Sequence, residues 1–117
     1  TLPLGQLKTF LNEIENTCLN VNAYSSPYIF GHAADGNMHV NVLNSAPKEN
    51  EMEKEVLMFV ASLGGSISAE HGIGRAKSQY LHLQRSSDEI ALFKKIKEAF
   101  DPIGILNPNA IFPTGKE

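Results

Sequence analysis

Two histidines, His32 and His39, flank the stretch GHAADGNMH at residues 31–39, and an adjacent Glu70–His71 pair opens the run EHGIG at residues 70–74. Imidazole nitrogens and a carboxylate are ordinary ligands of a divalent metal, with metal–nitrogen distances of about 2.0–2.1 Å. A further imidazole, ionising near neutral pH, suits general-base work. Asp35-Gly36 is a preferred pair for a two-residue type I′ hairpin turn, which needs positive φ at both central residues. Such a turn sets Ala34 opposite Asn37, Ala33 opposite Met38, His32 opposite His39 and Phe30 opposite Asn41. Directly opposed residues point to one side with Cβ atoms roughly 4.5–5.5 Å apart, so the two imidazoles reach a common ion. Glu70 as third ligand leaves an open coordination position, as a catalytic metal requires. His71 is then free to act as the base. Gly72 and Gly74 let a backbone approach a flat or phosphorylated ligand closely. Two plainer readings stand beside these. The histidines are also compatible with an open, half-exposed sheet face, and EHGIG with a glycine-rich loop carrying a surface Glu–His pair.

The elements that must position these residues follow from periodicity. Leu4, Leu7, Leu11, Ile14 and Cys18 predict an amphipathic helix over residues 4–20, with Cys18 in the core. SSPYIF leads into a strand. NMHVNVLN alternates Met38, Val40 and Val42 against His39, Asn41 and Leu43, predicting a second strand with an apolar face and a mostly polar one. A second helix over residues 45–64 buries Met52, Val56, Phe59, Val60 and Leu63 and ends at Gly64-Gly65. SIS at 66–68 predicts a short strand, and SQYLHLQR a helical turn with His82 on the surface. Ser86 with Glu89 forms a capping box for a third helix, whose apolar stripe is Leu92, Phe93, Ile96, Ala99 and Phe100. The tail DPIGILNPNAIFP is irregular, yet too rich in Ile, Leu and Phe to be solvated throughout. The order predicts one domain over residues 1–117 of the α+β class, a small antiparallel sheet with helices packed on one face.

Composition limits the partners. A chain of 117 residues with 42% hydrophobic content can build a small core, and a net charge of −3 offers no basic surface for nucleic acid. No apolar run is long enough to span a bilayer. The N-terminal segment has neither the basic region nor the continuous apolar region of a signal peptide. The single Cys18 excludes an internal disulfide and fits a reducing compartment.

GHAADGNMHVN, GGSISAEHGIGRAK and DPIGILNPNAIFP together resemble three successive motifs in the C-terminal part of FAD-linked oxidases and dehydrogenases of the vanillyl-alcohol-oxidase type. That group includes D-lactate dehydrogenase, the glycolate oxidase FAD subunit and D-2-hydroxyglutarate dehydrogenase. The resemblance spans residues 31–113 and implies the last part of a ferredoxin-like cap domain, with nothing here resembling the FAD-binding domain. It implies a fragment of a longer flavoenzyme, inactive in isolation, that oxidises an (R)-2-hydroxy acid to a 2-oxo acid by hydride transfer to FAD. It further implies a divalent metal, zinc by preference, held by His32, His39 and Glu70, with His71 as base for the hydroxyl proton. Asn41 matches a polar position beside flavin and substrate, and Asn107 the tail segment that folds back toward the flavin; Gly72 and Gly74 are the close-approach positions. The implied partners are the small hydroxy acid, the FAD-binding domain of the same polypeptide and an electron acceptor, whether quinone, cytochrome or electron-transfer flavoprotein. The implied location is the cytoplasm or the periphery of the inner membrane. Asn109 and Ala110 stand where the family commonly has Gly and Lys, so no role is carried to them. A stand-alone zinc-dependent hydrolase using His32, His39 and Glu70, and a non-catalytic binding module, are the competing readings.

Overall fold

The computed structural model describes residues 1–112, which fall into two compact units that divide between Ala69 and Glu70.

In the first unit, helix α1 (Leu7–Val21) is followed by strands β1 (Ser26–His32) and β2 (Asn37–Leu43) and by helix α2 (Glu49–Ser62). A 3-10 turn at Leu4–Gln6 precedes α1. The buried stripe of α1 is Phe10, Ile14, Cys18 and Val21, a 4-4-3 spacing. This corrects the predicted stripe at two positions: Leu4 and Leu11 face solvent, because Phe10 supplies the bulk that faces the core. Phe10 stacks on Phe59 of α2 with ring centroids 5.7 Å apart. Leu2, Met52 and Val60 complete the buried cluster, and Ile29, Met38, Val40 and Val42 pack against it from the sheet. Each fully buried apolar side chain of the cluster contributes about 1.5–3 kcal/mol by leaving water. Cys18 is fully buried and its thiol pKa is raised by desolvation, which makes it a packing residue and not a nucleophile.

α1 ends where Asn22 accepts the Tyr24 N–H on its side-chain oxygen, and Lys48 Nζ donates to the terminal Val21 carbonyl at 2.8 Å. α2 ends as expected at the two glycines. Gly65 N–H reaches Val60 O and Gly64 N–H reaches Ala61 O, with Gly64 left-handed at φ 73, a Schellman closure.

The sheet is a two-stranded antiparallel hairpin. The predicted strand at Ser66–Ser68 does not form: this short segment lies between Gly65 and Ala69, the latter at φ 45. Ser66 instead exchanges backbone hydrogen bonds with Thr1, at 2.7 and 3.0 Å, and stays outside the sheet.

In the second unit, a 3-10 helix (Ser78–Leu83) precedes helix α3 (Ser87–Phe100). His82 is exposed, as expected. The predicted capping box is complete: Glu89 N–H donates to Ser86 Oγ at 3.2 Å, and Ser86 N–H donates to Glu89 Oε2 at 2.8 Å. The Ser86 N–H first, and then the Ser86 hydroxyl, both donating to its carboxylate, hold the Glu89 carboxyl below its usual range. The predicted apolar stripe of α3 is not buried: Leu92, Ile96 and Phe100 are all exposed, and no α3 residue is buried. The tail is irregular, as predicted, but Ile103, Ile105 and Leu106 are also exposed. Apolar periodicity specifies a face, and burial needs a second surface to cover it. Among the described residues no helix is long and apolar enough to cross a membrane.

Candidate functional site

The hairpin register decides how the histidines stand. Phe30 pairs with His39, Gly31 with Met38, His32 with Asn37, and Tyr28 with Asn41. The expected two-residue turn, with His32 opposite His39 and Phe30 opposite Asn41, is therefore corrected. The connection has four residues: a 3-10 turn at Ala33–Asp35 and then Gly36 at φ 64. A type I′ turn needs positive φ at both Asp35 and Gly36, and Gly36 alone adopts it. The tip is held by Leu2 N–H, which donates to Gly36 O at 2.8 Å.

The shift amounts to two residues, so the faces survive it. Pro27, Ile29, Met38, Val40 and Val42 share the half-buried side. Tyr28, Phe30, His32, His39 and Asn41 share the exposed side. His32 and His39 are thus diagonal neighbours on one face, a relation that places residues roughly 7–8 Å apart. Asn41 lies two residues beyond His39 on the same side. Phe30 stacks on the His39 imidazole, with centroids 5.0 Å apart and planes 15° from parallel. The sequence reading left that contact out, because the assumed register set Phe30 against Asn41.

Glu70 and His71 belong to the second unit, on a turn between Ala69 at φ 45 and Gly72 at φ 74. Both side chains are well exposed, with His71 Nε2 4.0 Å from Glu70 Oε1. The left-handed conformation costs a residue with a Cβ about 1–2 kcal/mol, so Ala69 is strained. A Cβ added at Gly72 or Gly74 would meet open space, so these glycines are required by their φ values of 74 and 54 and not by crowding. Ile111 N–H donates to Gly74 O at 2.7 Å, tying the tail to the glycine loop.

The tail is held by Asp101, whose buried carboxylate accepts from Ile105 N–H at 3.0 Å and Leu106 N–H at 2.9 Å and pairs with the Lys97 ammonium. Lys97 also donates to Leu106 O at 2.8 Å. Asn107 (φ 46) and Asn109 (φ 64) are left-handed, and Asn109 so adopts the conformation that glycine takes freely at that position of the motif. A cleft of about 440 Å³ between the end of α3 and the tail is lined by Lys94, Ile103, Leu106, Asn107 and Phe112 among others. The Asp101 bracket was missed from sequence; the Lys97–Asp101 i,i+4 spacing before Pro102 was its signal.

Lys97 first, and then the Leu106 and Ile105 amides, hold the Asp101 carboxyl below the usual carboxylate range. A depressed folded-state pKa gives stability that is present above the unfolded-state value, about 3.9, and lost as pH falls through the folded value. The Ile105 and Leu106 amide resonances should therefore titrate with a midpoint below 3.9. Asp101→Asn should release both amides at neutral pH. A midpoint at or above the ordinary value would remove the bracket.

Among the described residues no three His, Cys, Asp or Glu side chains are grouped so as to hold a metal ion. His32 and His39 share a face of the first unit; Glu70 belongs to the second.

Residues 1–111 match the family model of FAD linked oxidases, C-terminal domain. The chain is 37% identical to a D-2-hydroxyglutarate dehydrogenase of Stutzerimonas stutzeri, over 96% of this chain and 26% of that protein. It is 45% identical to the glycolate oxidase subunit GlcD of Escherichia coli, over 71% of this chain and 18% of the relative. It is 49% identical to the D-2-hydroxyglutarate–pyruvate transhydrogenase DLD3 of Saccharomyces cerevisiae, over 68% of this chain and 16% of the relative. The chain thus spans only 16–26% of the length of these curated relatives. The family match and these identities establish that the chain belongs to the FAD-linked oxidases, as part of their C-terminal domain.

Proposed function

We propose that this chain is the substrate-side part of an FAD-dependent enzyme that oxidises an (R)-2-hydroxy acid to a 2-oxo acid. The observation that carries the reading is the exposed hairpin face, where His32, His39 and Asn41 stand together above a packed core. It is joined by the family membership and by the names of the relatives, which act on 2-hydroxyglutarate and glycolate. Membership of an oxidoreductase family displaces the zinc-hydrolase reading.

His71 takes the proton from the substrate hydroxyl as the C–H bond breaks. Its exposure on a strained turn keeps the ring open to a ligand. His32, His39 and Asn41 orient the substrate's carboxylate and hydroxyl. Gly72, Gly74 and Asn107 are the backbone positions that would approach a bound flavin. FAD, when bound, supplies the hydride acceptor. The electron acceptor would be a quinone, a cytochrome or an electron-transfer flavoprotein.

His32, His39 and Glu70 are proposed as ligands of a divalent metal, zinc by preference. The fit is partial. Two imidazoles share a face of the first unit, and among the described residues no three donors are grouped, so no step is derived through a metal.

The full-length polypeptide should be yellow, and its flavin should be reduced anaerobically by D-lactate, glycolate or D-2-hydroxyglutarate. The 117-residue chain alone should be colourless and inactive with a dye acceptor. Flavin absorbance in the isolated chain, or an oxidised flavin unmoved by all three acids in the full-length protein, would overturn the proposal.

A further inference from the structure

Phe30 stands directly opposite His39 in the hairpin register, and the two rings lie nearly parallel. Phe30 is 55% exposed and points away from the core, which Ile29 meets on the other face. An aromatic side chain left half in water on a strand adds little to folding. Its one ring contact among the described residues is His39. An imidazole on an open strand turns about two side-chain bonds, and among the described residues no side-chain hydrogen bond fixes the His39 ring. A ligand held by a ring nitrogen needs that ring in one plane, and ordering the plane beforehand removes a cost of binding. Offset stacking of flat rings supplies such an order, worth more than the area it covers.

We infer that Phe30 is a positioning residue for His39: its flat face sets the plane in which the imidazole meets the substrate. This rests on the proposed role of His39 and adds a residue to it. The contact requires flatness. Leucine of similar apolar character cannot reproduce it, whereas tyrosine can. The neighbouring Tyr28, also exposed and opposite Asn41, continues the aromatic column beside the polar one on β2.

The test uses the full-length enzyme, with flavin reduction by a saturating 2-hydroxy acid followed in anaerobic stopped flow. Phe30→Leu should slow reduction roughly 10-fold, the lower end for a residue that orients a functional histidine. Phe30→Tyr should stay close to the parent. In a His39→Ala background, Phe30→Leu should add no further loss, since the ring it orients is gone. In NMR spectra of histidine-labelled enzyme, the His39 ring protons should carry an upfield ring-current shift that survives in Phe30→Tyr and vanishes in Phe30→Leu. A Phe30→Leu enzyme as fast as the parent overturns the inference, as does a loss that multiplies with His39→Ala or a His39 resonance with no ring-current shift. His39→Ala without effect on reduction instead defeats the proposed role of His39; the ring shift then reports the stacking on its own.

Discussion

His71→Asn in the full-length enzyme should cut the rate of flavin reduction by about 10²–10⁴-fold, the usual contribution of a general base. Asparagine keeps the size and polarity of the side chain and removes its ability to accept a proton. Substrate affinity should remain near the parent's, and metal content should be retained, because His71 is assigned to the proton and not to a ligand position. His32→Ala, His39→Ala and Glu70→Gln should show the contrasting pattern, each lowering the metal content of the purified enzyme. The measurements are stopped-flow reduction, substrate titration by flavin absorbance and elemental analysis of the purified variants. Metal loss in His71→Asn with full retention in His32→Ala and His39→Ala would mean that ligands and base are assigned the wrong way round. Unchanged reduction in His71→Asn would end its role as base.

Gly36→Ala should destabilise the full-length protein by about 3 kcal/mol or more, combining the left-handed penalty with overpacking. A Cβ at Gly36 would lie 2.0 Å from the Leu2 carbonyl oxygen, a backbone atom that cannot swing aside. Relief requires the hairpin tip to part from Leu2, which breaks the Leu2–Gly36 hydrogen bond and moves His32 and His39 with it. Gly31→Ala should be comparable, since its Cβ would meet Asn37 O at 2.2 Å across the hairpin. Gly72→Ala is the control. Its φ of 74 is as left-handed, but nothing lies within 4 Å of the added atom. It should lose only about 1–2 kcal/mol. Urea unfolding followed by far-UV circular dichroism ranks the three. Equal losses at Gly36 and Gly72 would mean that the close approach to Leu2 is not what constrains the tip.

Local chemistry that needs no distant partner was legible in the amino-acid order. The Ser86–Glu89 capping box, the closure of α2 at Gly64-Gly65 and the alternation of Met38, Val40 and Val42 each satisfy backbone groups or sort side chains within a few residues. Each appears in the structure as read. The division of the hairpin into a core face and a face carrying His32, His39 and Asn41 was legible for the same reason, since side chains alternate whatever the turn. The motifs also identified the family, because three of them occur in order within one short chain.

Three features were decided only by the fold. The register of the hairpin depended on Leu2 reaching Gly36 from more than thirty residues away, and on Asp35 keeping negative φ, so Phe30 and not His32 came to stand against His39. The α1 stripe was rotated toward Phe10 because Phe59 of α2 offered it a stacking partner that no pattern within α1 contains. The apolar face of α3 was written plainly in Leu92, Ile96 and Phe100, and the structure leaves it open. Periodicity states which residues share a side, and tertiary contact alone decides whether that side meets protein or water.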